Sequence, residues 1–245
     1  MRSLKQSIKL ILSVNWIKTL YFNFKMFPFE VAKKVPVFFY GSVNFEGLTG
    51  EVVIDAPIKT GMIGFGQPYE MTTRSRRISE IALCGKFVFK GHVQFGKDFF
   101  IYIAKDGYCE MGHMSSIATL GKIICTNSVV LGNWARIGSE SQIIDTNFHA
   151  MKNTVTGDFY PMNEKIVLGN YNYIGNRVSI MSKTKTNNYC TVASNSLCNK
   201  DYTGLGLNIL IGGIPAKFIK DSISRDWEGE EKLLEGQLIV NFFNS

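Results

Sequence analysis

"VLGNYNYIGNRVSIMSKTKTNNYCTVASNSLCN", residues 167–199, carries a beat of six. Leu168, Ile174, Ile180, Thr186, Val192 and Cys198 stand six apart, and Gly169 and Gly175 each follow a lattice residue. Such a period fits neither the 3.6 of an amphipathic helix nor the strict alternation of a half-buried strand. It fits a coiled parallel sheet. If each hexapeptide forms one flat side of a triangular coil, three sides complete a turn and the lattice residue points into the narrow interior. Glycine and other small residues would then permit the corners. The expected core is a stack of aliphatic ladders in which Cys125, Thr186 and Cys198 serve as small members.

Working outward, "IICTNSVVLGNWARIGSESQII" at 123–144 repeats the beat through Cys125, Leu131, Ile137 and Ile143, with Gly132 and Gly138 in the glycine place. The pattern stops after Ile143 and resumes one register later at Leu168, so a loop of about 144–167 is expected to leave the coil. Less regular hints, "MIGFG" at 62–66, "QFG" at 94–96 and "EMGHM" at 110–114, put the start of the coil near residue 61. Before it, apolar and polar residues alternate among glycines and prolines, which suggests short strands capping the open end. After Lys220 the chain reads as an acidic helix whose charge complements the basic N-terminal segment. Three parts are expected: an N-terminal amphipathic helix and cap at 1–60, the coil at 61–220, and a C-terminal helix and tail at 221–245.

With 245 residues and 45% hydrophobic content the chain can bury a full core. The net charge of +7 is local, because the first 36 residues carry Arg2, Lys5, Lys9, Lys18, Lys25, Lys33 and Lys34 against Glu30 alone. "LKQSIKLILSVNWIKTLYFNF" at 4–24 is interrupted by Lys9, Asn15 and Lys18, and it suits a surface-lying helix better than a membrane span or a signal peptide. That helix either packs Leu4, Ile8, Ile11 and Trp16 onto the body or meets an anionic membrane face. A nucleic-acid partner is not expected, since the basic excess is not repeated along the chain. Five scattered cysteines and three distant histidines lack metal-ligand spacing, so no metal and a reducing cytoplasm are expected. The glycine runs "GFG" and "GLGLN" lack the setting of a phosphate loop, and no nucleophile elbow or Ser-His-Asp order appears.

"IIDTNFHAM" at 143–151 places an acid, an amide and a histidine where the lattice breaks. A neutral imidazole suits proton abstraction near pH 7, and Phe148 beside His149 favours that neutral form by desolvation. Asp145 and Asn147 are read as groups that orient the imidazole or bind a hydroxyl-bearing substrate. Asn127 either faces the same cleft or is a solvated corner residue. His92 and His113, without comparable context, read as structural.

The hexapeptide lattices, the "DTNFH" loop and the closing "LIGGIPAKFIK" at 210–220, in that order, resemble the hexapeptide-repeat, left-handed β-helix acyltransferases. The resemblance is to the branch of bacterial O-acetyltransferases that modify capsule, exopolysaccharide and O-antigen sugars. The stretch "IKTLYFNFKMFPFEVAKKVPVFFYG" also resembles the leader of capsule-type members. The resemblance implies an all-β dominated, left-handed parallel β-helix that forms a homotrimer with sites between subunits. It implies acetyl-CoA as donor, a sugar acceptor, and His149 as general base in a direct transfer. Matched motif to motif, Asn176 and Ser194 fall at pantetheine-contacting positions, and Lys200 and Lys217 fall near the CoA phosphates. Relatives carry Gly-Ala-Gly-Ser where this chain has Ala193-Ser194-Asn195-Ser196, a bulkier corner. The oxyanion of thioester attack would be met by backbone N–H groups at a coil corner. Two other readings fit the lattice: an N-acetylating relative acting on an antibiotic or amino sugar, and a non-catalytic β-helix binding module.

Overall fold

The computed structural model describes residues 10–67 and 77–239; Leu4, Ile8 and the first three basic residues lie outside them. The chain winds into a three-sided parallel β-helix, each side being a sheet built from one short strand per coil. The first side runs through Val37–Phe39, Ile63–Phe65, Val93–Phe95, Ser116–Ile117, Arg136–Ile137, Tyr173–Ile174, Thr191–Val192 and Leu210–Gly213. It closes with Ala216–Lys220 paired antiparallel. The fold is thus β-dominated, with helices at both ends.

The lattice residues point inward as the beat requires. Leu131 stands opposite Leu168, Ile137 opposite Ile174, Ile143 opposite Ile180, and Ile174 and Ile180 opposite Val192 and Cys198. All of them are buried. Thr186 joins this core because its Oγ1 donates to Asn172 Oδ1 at 2.6 Å, so no hydroxyl is left unmet.

The coil begins earlier than the sequence suggested. Val37, Phe45 and Val52 already stand in parallel register with Ile63, Ile81 and Phe87, so residues 37–54 form a full first coil in place of a separate cap. Coil length explains the concealment. Phe95 pairs with Ile117 and Ile101 with Ile123, a longer step than the eighteen that separates Ile174 from Val192. The early core is also aromatic, with Phe39, Phe65 and Phe95 stacked at 5.0 and 4.5 Å.

The corners differ from expectation too. The left-handed conformation falls three places after the lattice residue, on Trp134, Glu140, Tyr171, Arg177, Tyr189 and Asn195, none of them glycine. Glycine is needed for another reason: a Cβ on Gly132 would lie 2.6 Å from Asn170 N, and one on Gly169 would lie 2.5 Å from Asn187 C. The glycines let one coil rest on the next.

Helix α1, Trp16–Met26, closes the N-terminal end, and a single turn, α2, follows at Phe29–Ala32. The first strand, Val37–Phe39, has an open edge whose main-chain groups need partners. α1 supplies them: Asn23 Nδ2 donates to Val37 O at 2.7 Å, and Thr19 Oγ1 accepts from Phe39 N at 3.0 Å.

At the other terminus α3, Trp227–Leu238, starts at Asp226, whose side chain accepts from Gly229 N at 2.9 Å. Its Trp227, Leu234 and Leu238 pack on Met114 and Trp134. Trp134, Tyr171 and Tyr189 stack along one corner of the coil with interplanar angles of 4° and 5°. Gln67 and Gln94 donate to Leu238 O at the helix end.

Candidate functional site

Between the second and third sides of the fifth coil, after Gln142–Ile144, the chain leaves the lattice as expected and returns at Ile166–Leu168. The excursion is a hairpin in which Met151–Lys152 pairs with Phe159–Tyr160. Its base is fastened to the coil beneath. Asp145 is fully buried, and its carboxylate accepts from Thr126 N at 2.8 Å, Thr126 Oγ1 at 3.0 Å and Asn127 N at 2.8 Å. Asn163 Nδ2 donates to Thr126 Oγ1, Asn127 Nδ2 donates to Asn163 Oδ1, and Asn147 N donates to Met162 O at 2.9 Å. The chain then passes through Phe148 at φ +58° and presents His149 on the surface. Among the described residues no group hydrogen-bonds the His149 imidazole.

One expectation is corrected here, and one pair of alternatives is decided. Asp145 neither orients His149 nor faces a substrate: its oxygens are buried and taken by Thr126 and Asn127, so it positions the loop base. Asn127 sits at an exposed corner clasped to Asn163, although it does belong to the same cluster as Asp145 and Asn147.

A groove of about 590 Å³ opens between this loop and the outer surface of the second side. Asn147, Tyr160 and Glu164 line it from the loop; Gln142, Ser179 and Leu197 line it from three successive coils. Gln142 Nε2 donates to Ser179 Oγ at 2.9 Å across the first two of these. Sequence reasoning named Asn147 among these six and missed the other five. The three coil residues each precede a lattice residue, Ile143, Ile180 and Cys198, so the beat itself marks them as outward-facing. His149, Asn176, Ser194, Lys200 and Lys217 are not among the lining residues.

Asn176 and Ser194 meet at the corner that opens this same side. Ser139 N donates to Asn176 Oδ1 at 3.0 Å, and Asn176 N donates to Ser194 Oγ at 3.1 Å. Ser194 therefore holds the coils together at this corner. Both side chains remain exposed. Lys200 is exposed with its ammonium 5.4 Å from the Tyr202 ring centre, and Lys217 is exposed on the final antiparallel strand. Lys217 pairs with Gly212, in the strand next to the one that leads into Ser194.

The other two histidines form a pair, His92 buried and His113 half-buried. Their ring centres are 5.9 Å apart, and His113 Nδ1 accepts from His92 N at 3.2 Å. Burial, then the nearby His113 and Lys59, push His92 down to about 4; burial also lowers His113. Among the described residues no cluster of three His, Cys, Asp or Glu is placed to hold a metal ion.

The arrangement defines a class: a parallel β-helix of hexapeptide sides with one exposed histidine loop beside a groove. Several solved structures are similar to it. The polySia specific acetyltransferase NeuO matches with a TM-score of 0.49 at 17% identity, over 78% of each chain. The polysialic acid O-acetyltransferase OatWY matches at 0.38 and 14%, over 75% of this chain and 90% of its own. A point mutant of AntD, an N-acyltransferase from Bacillus cereus in complex with dTDP and coenzyme A, matches at 0.43 and 13%, over 86% of this chain and 97% of its own. No protein-family model matches the sequence, and no curated protein does.

Proposed function

We propose that the protein is an acetyl-CoA-dependent O-acetyltransferase that moves acetyl to a hydroxyl of a sugar or bacterial polysaccharide precursor. The observation that carries this reading is the loop at 145–165: a buried carboxylate anchors its base so that an exposed histidine stands beside a groove. In this mechanism the neutral His149 imidazole takes the proton of the acceptor hydroxyl as its oxygen attacks the thioester carbonyl. The new C–O bond forms, the C–S bond breaks, and the imidazolium returns the proton to the departing CoA sulfur. Backbone N–H groups at a coil corner meet the transient oxyanion.

The donor is proposed to lie along the second side, its pantetheine arm against Asn176 and Ser194 and its phosphates near Lys200 and Lys217. Lysine acts there as a movable point charge. The donor groove is proposed to be completed by a neighbouring copy in a homotrimer. The five unpaired thiols, four of them buried, support a reducing cytoplasm.

The test is release of free CoA from acetyl-CoA with a panel of sugars and capsule fragments, for the wild type and His149→Ala. A loss of about 10²- to 10⁴-fold with CoA binding intact is expected for a general base. Mild alkali should strip the product's acetyl as an ester; an alkali-stable amide would favour N-acetylation. If the wild type binds no CoA, the enzyme reading falls.

A further inference from the structure

Helix α1 is turned inside out. Its polar Thr19 and Asn23 face the body with Phe22, because the open strand edge there demands hydrogen-bond partners. Apart from Phe22, the large apolar residues of the helix are left partly exposed. Ile17, Leu20, Tyr21 and Phe24 follow one another at the i, i+3, i+4, i+7 spacing of a single stripe, with exposures of 83, 43, 53 and 51%. Leu12, Trp16 and Phe29 extend the patch, and they are exposed as well. Patches of this kind on a protein surface mark a partner.

We infer that this face seats the protein on an anionic lipid surface. Three observations choose lipid over other occupants. Lys18 and Lys25 stand on the helix itself, Lys33 lies 6.0 Å from the Phe29 ring and Lys34 follows it in the chain, while Glu30, the lone acid among the first 36 residues, is held by Lys33. A second copy would bring two such positive faces together, whereas anionic headgroups neutralise these lysines. The patch holds Trp16 and Tyr21, the residue types that favour the headgroup level. At eleven residues, α1 is about 16 Å long. No described helix is long and apolar enough to cross a membrane, so the helix lies along the surface.

The test is co-sedimentation of the full chain with vesicles of phosphatidylcholine alone and with about one third phosphatidylglycerol, at low and high salt. The wild type is expected to bind the anionic vesicles and to be released by salt. Ile17→Glu/Phe24→Glu should lose at least ten-fold in partitioning at unchanged Tm. Lys25→Gln/Lys34→Gln should lose roughly five-fold per lysine removed. Failure of the wild type to bind either vesicle would overturn the inference, as would binding that neither variant weakens. A wild-type assembly whose mass falls in Ile17→Glu/Phe24→Glu, without vesicle binding, would assign the face to contacts between copies instead. CoA release in solution reads the catalytic proposal separately, so the two can fail independently.

Discussion

A buried carboxylate is stable only when its oxygens are met, and Thr126 and Asn127 meet those of Asp145. Asp145→Asn turns one acceptor into a donor aimed at N–H groups. It should cost about 1–3 kcal/mol in urea unfolding and reduce turnover by loosening the loop that carries His149. His92 offers a second test. Its folded pKa of about 4 lies below the ordinary imidazole value of about 6.5, so unfolding takes up a proton between those values. Stability is therefore complete above pH 6.5 and drains as pH falls toward 4, with His113 adding in the same direction. His92→Leu should flatten that decline in urea midpoints taken at pH 8 and pH 5. At pH 8 it should cost little, because neither His92 ring nitrogen has a hydrogen-bond partner among the described residues. The loop that carries His149 was legible in the sequence because it breaks an aliphatic pattern. The partners of Asp145 were not, since they lie one coil below and the pairing depends on a coil length that the residues at 126–145 do not announce.

At the scale of elements, the six-residue beat was legible where coils are short and regular, as from Ile174 to Val192, and obscure where Phe95 must step to Ile117. Longer corners upstream break the beat without breaking the register, which hid the first coil at 37–54. The glycines at 132, 138, 169 and 175 were noticed for the wrong reason: coil contact requires them, and the left-handed turn falls on bulkier residues two places further on. Gly132→Ala should therefore destabilise by about 1–3 kcal/mol through overpacking. Gly204→Ala, where an added Cβ meets nothing within 4 Å, should fall within about 0.5 kcal/mol of wild type. Thermal melts of the two variants side by side separate crowding from backbone freedom. The groove stayed hidden at this scale because Gln142, Ser179 and Leu197 share a direction without sharing a residue type.

At the scale of the molecule, the apolar helix closes one end of a coil whose fifth turn carries the histidine loop. Neighbouring strands of a sheet are about 4.8 Å apart, so four steps separate the first coil from the loop by about 19 Å. Adding the diameter of α1, about 10 Å, places the loop roughly 30 Å above whatever that helix rests on. The number of turns below the loop is then a ruler. With the helix seated on lipid and the proposed sugar acceptor held in the bilayer, the acceptor would need to extend several sugar units to reach His149, and shorter carriers would pass beneath it. Duplicating one coil between residues 93 and 117 should raise the loop by about 5 Å. Vesicle-borne acceptors of graded length should then show a shift of preference toward the next longer chain, while the same acceptors free in solution keep their original order.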